Sequence, residues 1–150
     1  MKQKFDTPRL ELKNFEDKDL HALYCILDDN KKPGTTLNFD DVVADLKKKE
    51  DNHHYYALVL KANQVVIGSI YCKKVNDDDF EIGYLLNNNY KNSRYASEAL
   101  YGFVKMLEGE GAKRIVKLED NKKAKPFSLF LGQEYMSING FYKIVDFMKD

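Results

Sequence analysis

Three β-rich runs follow one another through the middle of this chain with almost nothing between them. They are YYALVLK (residues 55–61), QVVIGSIYCKK (64–74) and DFEIGYLL (79–86). The first two are joined by Ala62-Asn63, which points to a hairpin, and the next two by the polar turn VNDDD. Connections this short favour antiparallel pairing, because a parallel pair needs a crossover of a dozen or more residues. The fourth β run, KRIVKLE, follows a helical stretch, and a β-α-β step favours a parallel pair with a right-handed crossover. The chain is therefore read as α/β, with a mixed, mostly antiparallel central sheet flanked by helices. A closed parallel barrel is excluded.

The flanking elements fit that plan. RLELKNF (residues 9–15) alternates and reads as a strand. EDKDLHALYCILDD follows, with Leu20, Leu23, Tyr24 and Leu27 on one helical face. KKPGTT is a loop by its Pro-Gly pair. Asn38 then caps NFDDVVADLKKKE, whose acidic residues come early and lysines late, the order a helix dipole favours. Residues 94–107 form a helix with Ala96, Ala99, Leu100, Phe103, Val104 and Leu107 on one face, ended by the glycines of EGEGA. NKKAKPFSLFLG reads as a broken helix that starts near Pro126, where proline is tolerated in a first turn. QEYMSINGFYKIVDFM reads as a last strand or hairpin. The expected order is β-α-α-β-β-β-α-β-α-β.

Composition narrows the class. A length of 150 residues suits one domain with its own core, and 43% apolar residues support folding. Lysine plus arginine and aspartate plus glutamate both total 24, so the formal net charge is zero and no general nucleic-acid binder is expected. Only Arg9, Arg94 and Arg114 are arginine. Cys25 and Cys72 form no CxxC pair and read as buried free thiols. No run approaches about 18 consecutive apolar residues, and the first residues lack a signal-type apolar stretch. A soluble, reduced, cytoplasmic protein with no membrane partner is expected. Monomer and homodimer both remain open. The adjacent His53 and His54 point opposite ways on a strand and do not chelate one ion, His21 reads as a surface residue, and NDDD lacks the pattern of a calcium loop. No metal is expected.

One loop carries the chemistry. YKNSRYASEAL joins the third β run to the central helix, and a helix start offers unpaired N–H donors and a positive dipole end to an anion. Together with TPRLELKNFEDKDLHALY, IGSI, EIGYLL and the spacing of Asn121, Ala124, Leu131 and Gly132, it resembles the Gcn5-related N-acetyltransferases. The likeness is to their ribosomal-protein N-terminal acetyltransferase-like branch and runs over roughly residues 7 to 145. The resemblance implies a single domain of that acyl-CoA N-acyltransferase fold. It implies acetyl transfer from acetyl-CoA to a small-molecule amine or a protein N-terminal amine, by direct attack in a ternary complex. In that family the loop usually reads Arg/Gln-x-x-Gly-x-Gly/Ala and holds the pyrophosphate by its backbone.

Here the corresponding run is Lys91-Asn92-Ser93-Arg94-Tyr95-Ala96. Lys91 and Ala96 fit the pattern, but the central glycine position carries Arg94 and another carries Asn92. Glycine gives phosphate a close approach and tolerates positive φ. Asn92 adopts left-handed geometry readily, Arg94 only at a cost. Arg94 instead brings a fork of donors, and Ser93 a hydroxyl that can cap the helix. Retained anion binding and a solvated polar turn are the two alternatives.

The resemblance also assigns roles on the strand before the loop. Period two puts Glu81, Gly83 and Leu85 on one face, and Phe80, Ile82, Tyr84 and Leu86 on the other. Glu81 is the candidate base, since an attacking amine must be neutral. A solvent-facing strand glutamate is the alternative. Tyr84 would wall the acceptor pocket. Leu85 and Leu86 would line the cofactor, with backbone N–H groups near Tyr84 to Leu86 acting as an oxyanion hole. Asn121 would contact the cofactor. The family's tyrosine proton donor falls on Ser128. A binding or regulatory module on the same fold, with catalysis lost, is the second functional alternative.

Overall fold

The computed structural model describes residues 4–52, 54–117 and 127–130. Strand β1 (Lys4–Asp6) and β2 (Leu10–Asn14) open the chain, and a 3₁₀ turn over Asp17–Asp19 leads into α1 (Leu20–Asn30) and α2 (Phe39–Asn52). Then come β3 (His54–Leu60), β4 (Val65–Lys74) and β5 (Asp79–Leu86), a 3₁₀ turn over Asn88–Tyr90, α3 (Tyr95–Gly109), β6 (Arg114–Lys117) and β7 (Phe127–Phe130). Among the described residues the strands form one sheet in chain order, β1 to β7. All neighbours are antiparallel except β5 and β6, which are parallel across the α3 crossover. The fold is thus α/β with the mixed, mostly antiparallel sheet that the spacing of the β runs dictates.

Both faces of the sheet are covered, which explains why β3 is apolar throughout instead of alternating. Tyr56, Leu58 and Leu60 of β3 join Leu10, Leu12, Ile70 and Ile82 in the cluster beneath α3. Tyr55, Ala57 and Val59 join Phe15, Leu23, Val42 and Leu46 beneath α1 and α2. Helix α3 buries the six apolar residues its periodicity marks, with Ala99, Phe103 and Leu107 fully enclosed. Burial of a side chain the size of Phe103 contributes about 2 kcal/mol. Strand β1 was not anticipated. Three residues are too few to show a period, but Phe5 packs edge-on against Tyr56 at 5.6 Å between ring centroids.

Local signals worked where their chemistry is short-range. The Asn38 Oδ1 accepts from the Asp41 N–H at 2.9 Å, capping α2 as its sequence predicts. The β3–β4 connection is longer than the expected two residues. Leu60 pairs with Val65, so Lys61 to Gln64 form the turn, and Gln64 takes the left-handed conformation at φ 60°. Asn76 builds the next turn, its Oδ1 accepting from the N–H groups of Asp78 and Asp79 at 3.0 Å each. Cys72 is buried as expected, whereas Cys25 is only partly so.

One expectation is corrected, and three others fall outside the described residues. Residues 127–130 are a strand, antiparallel to β6, and not part of a broken helix. The run Phe-Ser-Leu-Phe has the aromatic content of a strand, and pairing with β6 outweighs the helical reading of the lysines before it. The last predicted strand or hairpin, Asn121 and His53 fall outside the described residues. No described helix is long and apolar enough to cross a membrane.

Candidate functional site

The parallel pairing of β5 with β6 is described over Asp79↔Arg114, Phe80↔Ile115 and Glu81↔Val116. The described part of β6 ends one residue later, at Lys117, which pairs with Phe127, while β5 runs on to Leu86. A bidentate ion pair joins the first of these rungs. Arg114 donates through Nε and Nη2 to the two oxygens of Asp79. Those bonds, with a third from Asn76, hold the Asp79 carboxyl below its ordinary range.

Backbone alternation sets which peptide groups of β5 turn away from β4. The Asn87 N–H donates to the Ile67 carbonyl at 2.8 Å, and the β4–β5 register continues that ladder through Leu85 and Gly83. The N–H and C=O groups of Tyr84 and Leu86 accordingly face away from β4. The Leu86 carbonyl accepts from Asn30 Nδ2 at 2.8 Å, which fastens the end of α1 to the end of β5. Asn30 also accepts from Lys91 Nζ at 3.1 Å, and Asp29 accepts from the Asn88 N–H at 3.0 Å. The loop after β5 is thus pinned at its start by the last residues of α1.

At its end the loop takes an unusual turn. Arg94 is the N-cap of α3 with φ 60° and ψ 22°, the left-handed region. The arginine therefore occupies the geometry that glycine would adopt, despite the cost to an L-residue, and Asn92 does not share it. Ser93 does not cap the helix; Arg94 is the N-cap and its side chain makes no capping bond. The first intrahelical bond runs from the Glu98 N–H to the Arg94 carbonyl at 3.1 Å. The amides of Tyr95, Ala96 and Ser97 come before it, at the positive end of a 15-residue helix. Lys91 to Arg94 are exposed, Tyr95 is half-buried and Ala96 buried.

Glu98 would be expected to weaken that field, being acidic and in the first turn. Its charge is fully engaged. Oε2 accepts from the Thr7 hydroxyl at 2.6 Å and the Arg9 N–H at 2.9 Å, and Oε1 from Arg9 Nε at 2.8 Å. Burial pushes the Glu98 carboxyl up, but these bonds outweigh it and hold the carboxyl below its ordinary value. Arg9 also donates from Nη2 to the Ser93 carbonyl at 2.9 Å and lies 4.2 Å over the Tyr95 ring centre. Gly102, one turn further along α3, permits this approach: a Cβ there would lie 2.8 Å from the Thr7 methyl. Sequence reading missed Arg9, Thr7 and Glu98. The available signal was scarcity, because two of the chain's three arginines, Arg9 and Arg94, meet at this loop.

The candidate chemical residues divide by face. Tyr84 packs with Phe80, Ile82 and Leu86 against the α3 cluster. Glu81, Gly83 and Leu85 take the opposite face, where Tyr71 covers Gly83. Glu81 and Tyr84 therefore do not share a side of the strand. Leu86 is buried in the α3 cluster, so its backbone and not its side chain is available at the strand end. Glu81 and Ser128 fall on one rung of the sheet, through Val116. Their Cα atoms are roughly 10 Å apart at ordinary strand spacing, on the last β5–β6 rung described. Ser128 reaches that rung from a strand, not from a helix. Among the described residues, no three or more His, Cys, Asp or Glu side chains are grouped to hold a metal.

Comparison with known proteins gives this geometry a setting. A family model described as an acetyltransferase (GNAT) domain matches residues 9–125. An uncharacterized N-acetyltransferase, YnaD of Bacillus subtilis strain 168, is 34% identical over 111 residues, 67% of this chain and 65% of the relative's length. The microcin C7 self-immunity acetyltransferase MccE, solved with acetyl-CoA and AMP, superposes with a TM-score of 0.61 at 19% identity. The match covers 77% of this chain and 73% of that one. An acetyltransferase from Salmonella typhimurium, said to modify the N-terminal serine of ribosomal protein L7/L12, gives 0.63 at 15% identity, covering 77% and 75%. At these identities the two structures speak to the fold.

Proposed function

Because the chain belongs to the GNAT acetyltransferase family, we propose that it moves an acetyl group from acetyl-CoA to a primary amine. The observation that carries this reading is the start of α3. Its leading amides have no capping side chain from the N-cap residue, and the residue before them is held in the left-handed conformation. They stand at the C-terminal end of β5. That arrangement supplies main-chain donors for a diphosphate, and the peptide groups of Tyr84 and Leu86 that face away from β4 offer a path for an extended thioester arm. Lys91, Asn92, Ser93, Arg94, Tyr95 and Ala96 would line the diphosphate, with Asn121 a further cofactor contact. Leu85 and Leu86 would flank the arm, and the Arg94 guanidinium would meet phosphate from the solvent side.

The reacting groups belong near the rungs that β5 shares with β6. Five residues separate Glu81 from Leu86, roughly 17 Å along a strand, so a thioester near Glu81 requires the arm to lie along β5. Glu81 would take the proton from the acceptor amine, which must be neutral to attack. Ser128, on the same rung, would return a proton to the departing thiolate. Tyr84, whose side chain packs against the α3 cluster, would contribute its backbone N–H and not a wall of the acceptor pocket. The acceptor class is an amine of a small molecule or of a protein N-terminus. The Salmonella structure supports the latter only as a likeness of fold.

Calorimetric titration with acetyl-CoA tests this reading. Saturable binding is expected, and ligand at a hundred times its dissociation constant should stabilise the native state by about 2.7 kcal/mol. No heat and no thermal shift at millimolar acetyl-CoA would overturn the proposal. Binding without thiol release across a panel of amines would replace it with a binding module on the same fold.

A further inference from the structure

The two peptide planes that meet at Arg94 are both tied to one residue. The plane after Arg94 is held because its carbonyl accepts from the Glu98 N–H at 3.1 Å. The plane before it carries the Ser93 carbonyl, which accepts from Arg9 Nη2 at 2.9 Å, while Arg9 Nε donates to the Glu98 carboxylate at 2.8 Å. The torsion between these planes at the Arg94 Cα is φ 60°. Fixing both planes fixes that torsion, so the left-handed turn is enforced from outside the loop. Resting on the reading above, we propose that Arg9 is a positioning residue whose guanidinium clamps the Ser93 carbonyl to Glu98. The clamp holds the diphosphate loop in the shape that glycine would otherwise supply.

The residue type follows from the task. A planar fork can donate in two directions at once and still stack on a ring; an ammonium cannot do all three. Arg9 does so, with Tyr95 under its plane at 4.2 Å. Thr7 and the Arg9 main chain fill the remaining valences of Glu98, so the anchor is itself rigid and buried. The clamp acts through the backbone that would face the ligand and need not touch the ligand itself.

A double-mutant cycle between Arg9 and Arg94 tests this, since glycine at 94 removes the need for a clamp. Acetyl-CoA affinity is measured for wild type, Arg9→Ala, Arg94→Gly and the double variant. Arg9→Ala should weaken binding about tenfold, the scale of one charge-assisted hydrogen bond. In the Arg94→Gly background the same change should cost less than about threefold. Arg9→Lys keeps a positive charge beside Glu98 but loses the fork, and should resemble Arg9→Ala. Equal losses in both backgrounds, or full rescue by lysine, would overturn the clamp. Thermal midpoints of the four ligand-free proteins give a second readout: the drop caused by Arg9→Ala should shrink when Arg94 is glycine, and additive midpoints would overturn the clamp. If wild type binds no acetyl-CoA while the midpoints couple, the clamp stands and the acetyltransferase reading falls. If acetyl-CoA binds and the cycle is additive, the reading stands and the clamp falls.

Discussion

Replacing Arg94 by glycine should make the protein more stable, although it removes a charged side chain from a helix start. Arg94 sits at φ 60° and ψ 22°. For an L-residue that region costs about 1–2 kcal/mol relative to ordinary helical geometry. Glycine escapes the clash but gives up about 0.5–1 kcal/mol more backbone entropy on folding. The difference leaves a gain of about 1 kcal/mol, equivalent to a midpoint rise of roughly 2–4 °C in a chain of this size. Removing a cation from the positive end of a helix adds a few tenths of a kcal/mol in the same direction. The control is Arg94→Ala, which removes the same side chain but keeps the Cβ and the strain, so the glycine variant should be the more stable of the two. Calorimetric or fluorescence melting of the three proteins without ligand decides the matter. An alanine variant stabilised as much as the glycine variant would show that the side chain's charge, and not the torsion, sets the energy. A glycine variant less stable than wild type would refute the strain argument.

Glu98→Ala should destabilise the fold by about 2–4 kcal/mol, because the Thr7 hydroxyl and the Arg9 donors lose a buried acceptor; chemical denaturation measures it. The Glu98 and Asp79 carboxyls are both held below their ordinary values when folded. Their contribution is therefore fully present above the unfolded-state carboxylate range and is lost as pH falls through that range to the lower folded values, so melting midpoints should drop on acidification. A flat profile down to pH 3 would contradict those shifts. Gly68→Ala places a Cβ 2.4 Å from the Leu85 carbonyl oxygen and should cost about 1–3 kcal/mol in denaturant titrations, with weaker acetyl-CoA binding as β5 shifts. Burial pushes the Cys72 thiol up to about 12, so a maleimide should label the partly exposed Cys25 in the native state and Cys72 only after unfolding; mass spectrometry of the adducts distinguishes them.

The sheet was legible because its evidence is local and redundant. Runs of β-branched and aromatic residues 55–61, 64–74 and 79–86 leave no room for crossovers, and the α3 face has six apolar positions at one spacing. Elements with little pattern were missed or mistaken. Strand β1 has three residues, and Phe127–Phe130 follows a lysine-rich segment that reads as helical until β6 supplies a pairing edge. The position of the anion loop was readable from strand, loop and helix in order. Its conformation was not. Intrinsic preference says that asparagine, not arginine, takes positive φ, whereas the chain places Arg94 there because Arg9 and Glu98 fix the flanking planes. Those partners lie 84 to 91 residues apart in sequence. No periodicity or spacing connects them.

If the amides opening α3 grip a diphosphate, amide NMR should register the contact residue by residue. On titration with acetyl-CoA, the ¹H–¹⁵N resonances of Tyr95, Ala96 and Ser97 should move downfield and saturate together, with Arg94 following and the far end of α3 near Gly109 unmoved. Saturable shifts confined to other elements, with Tyr95 to Ser97 unchanged, would mean that no diphosphate sits on these amides.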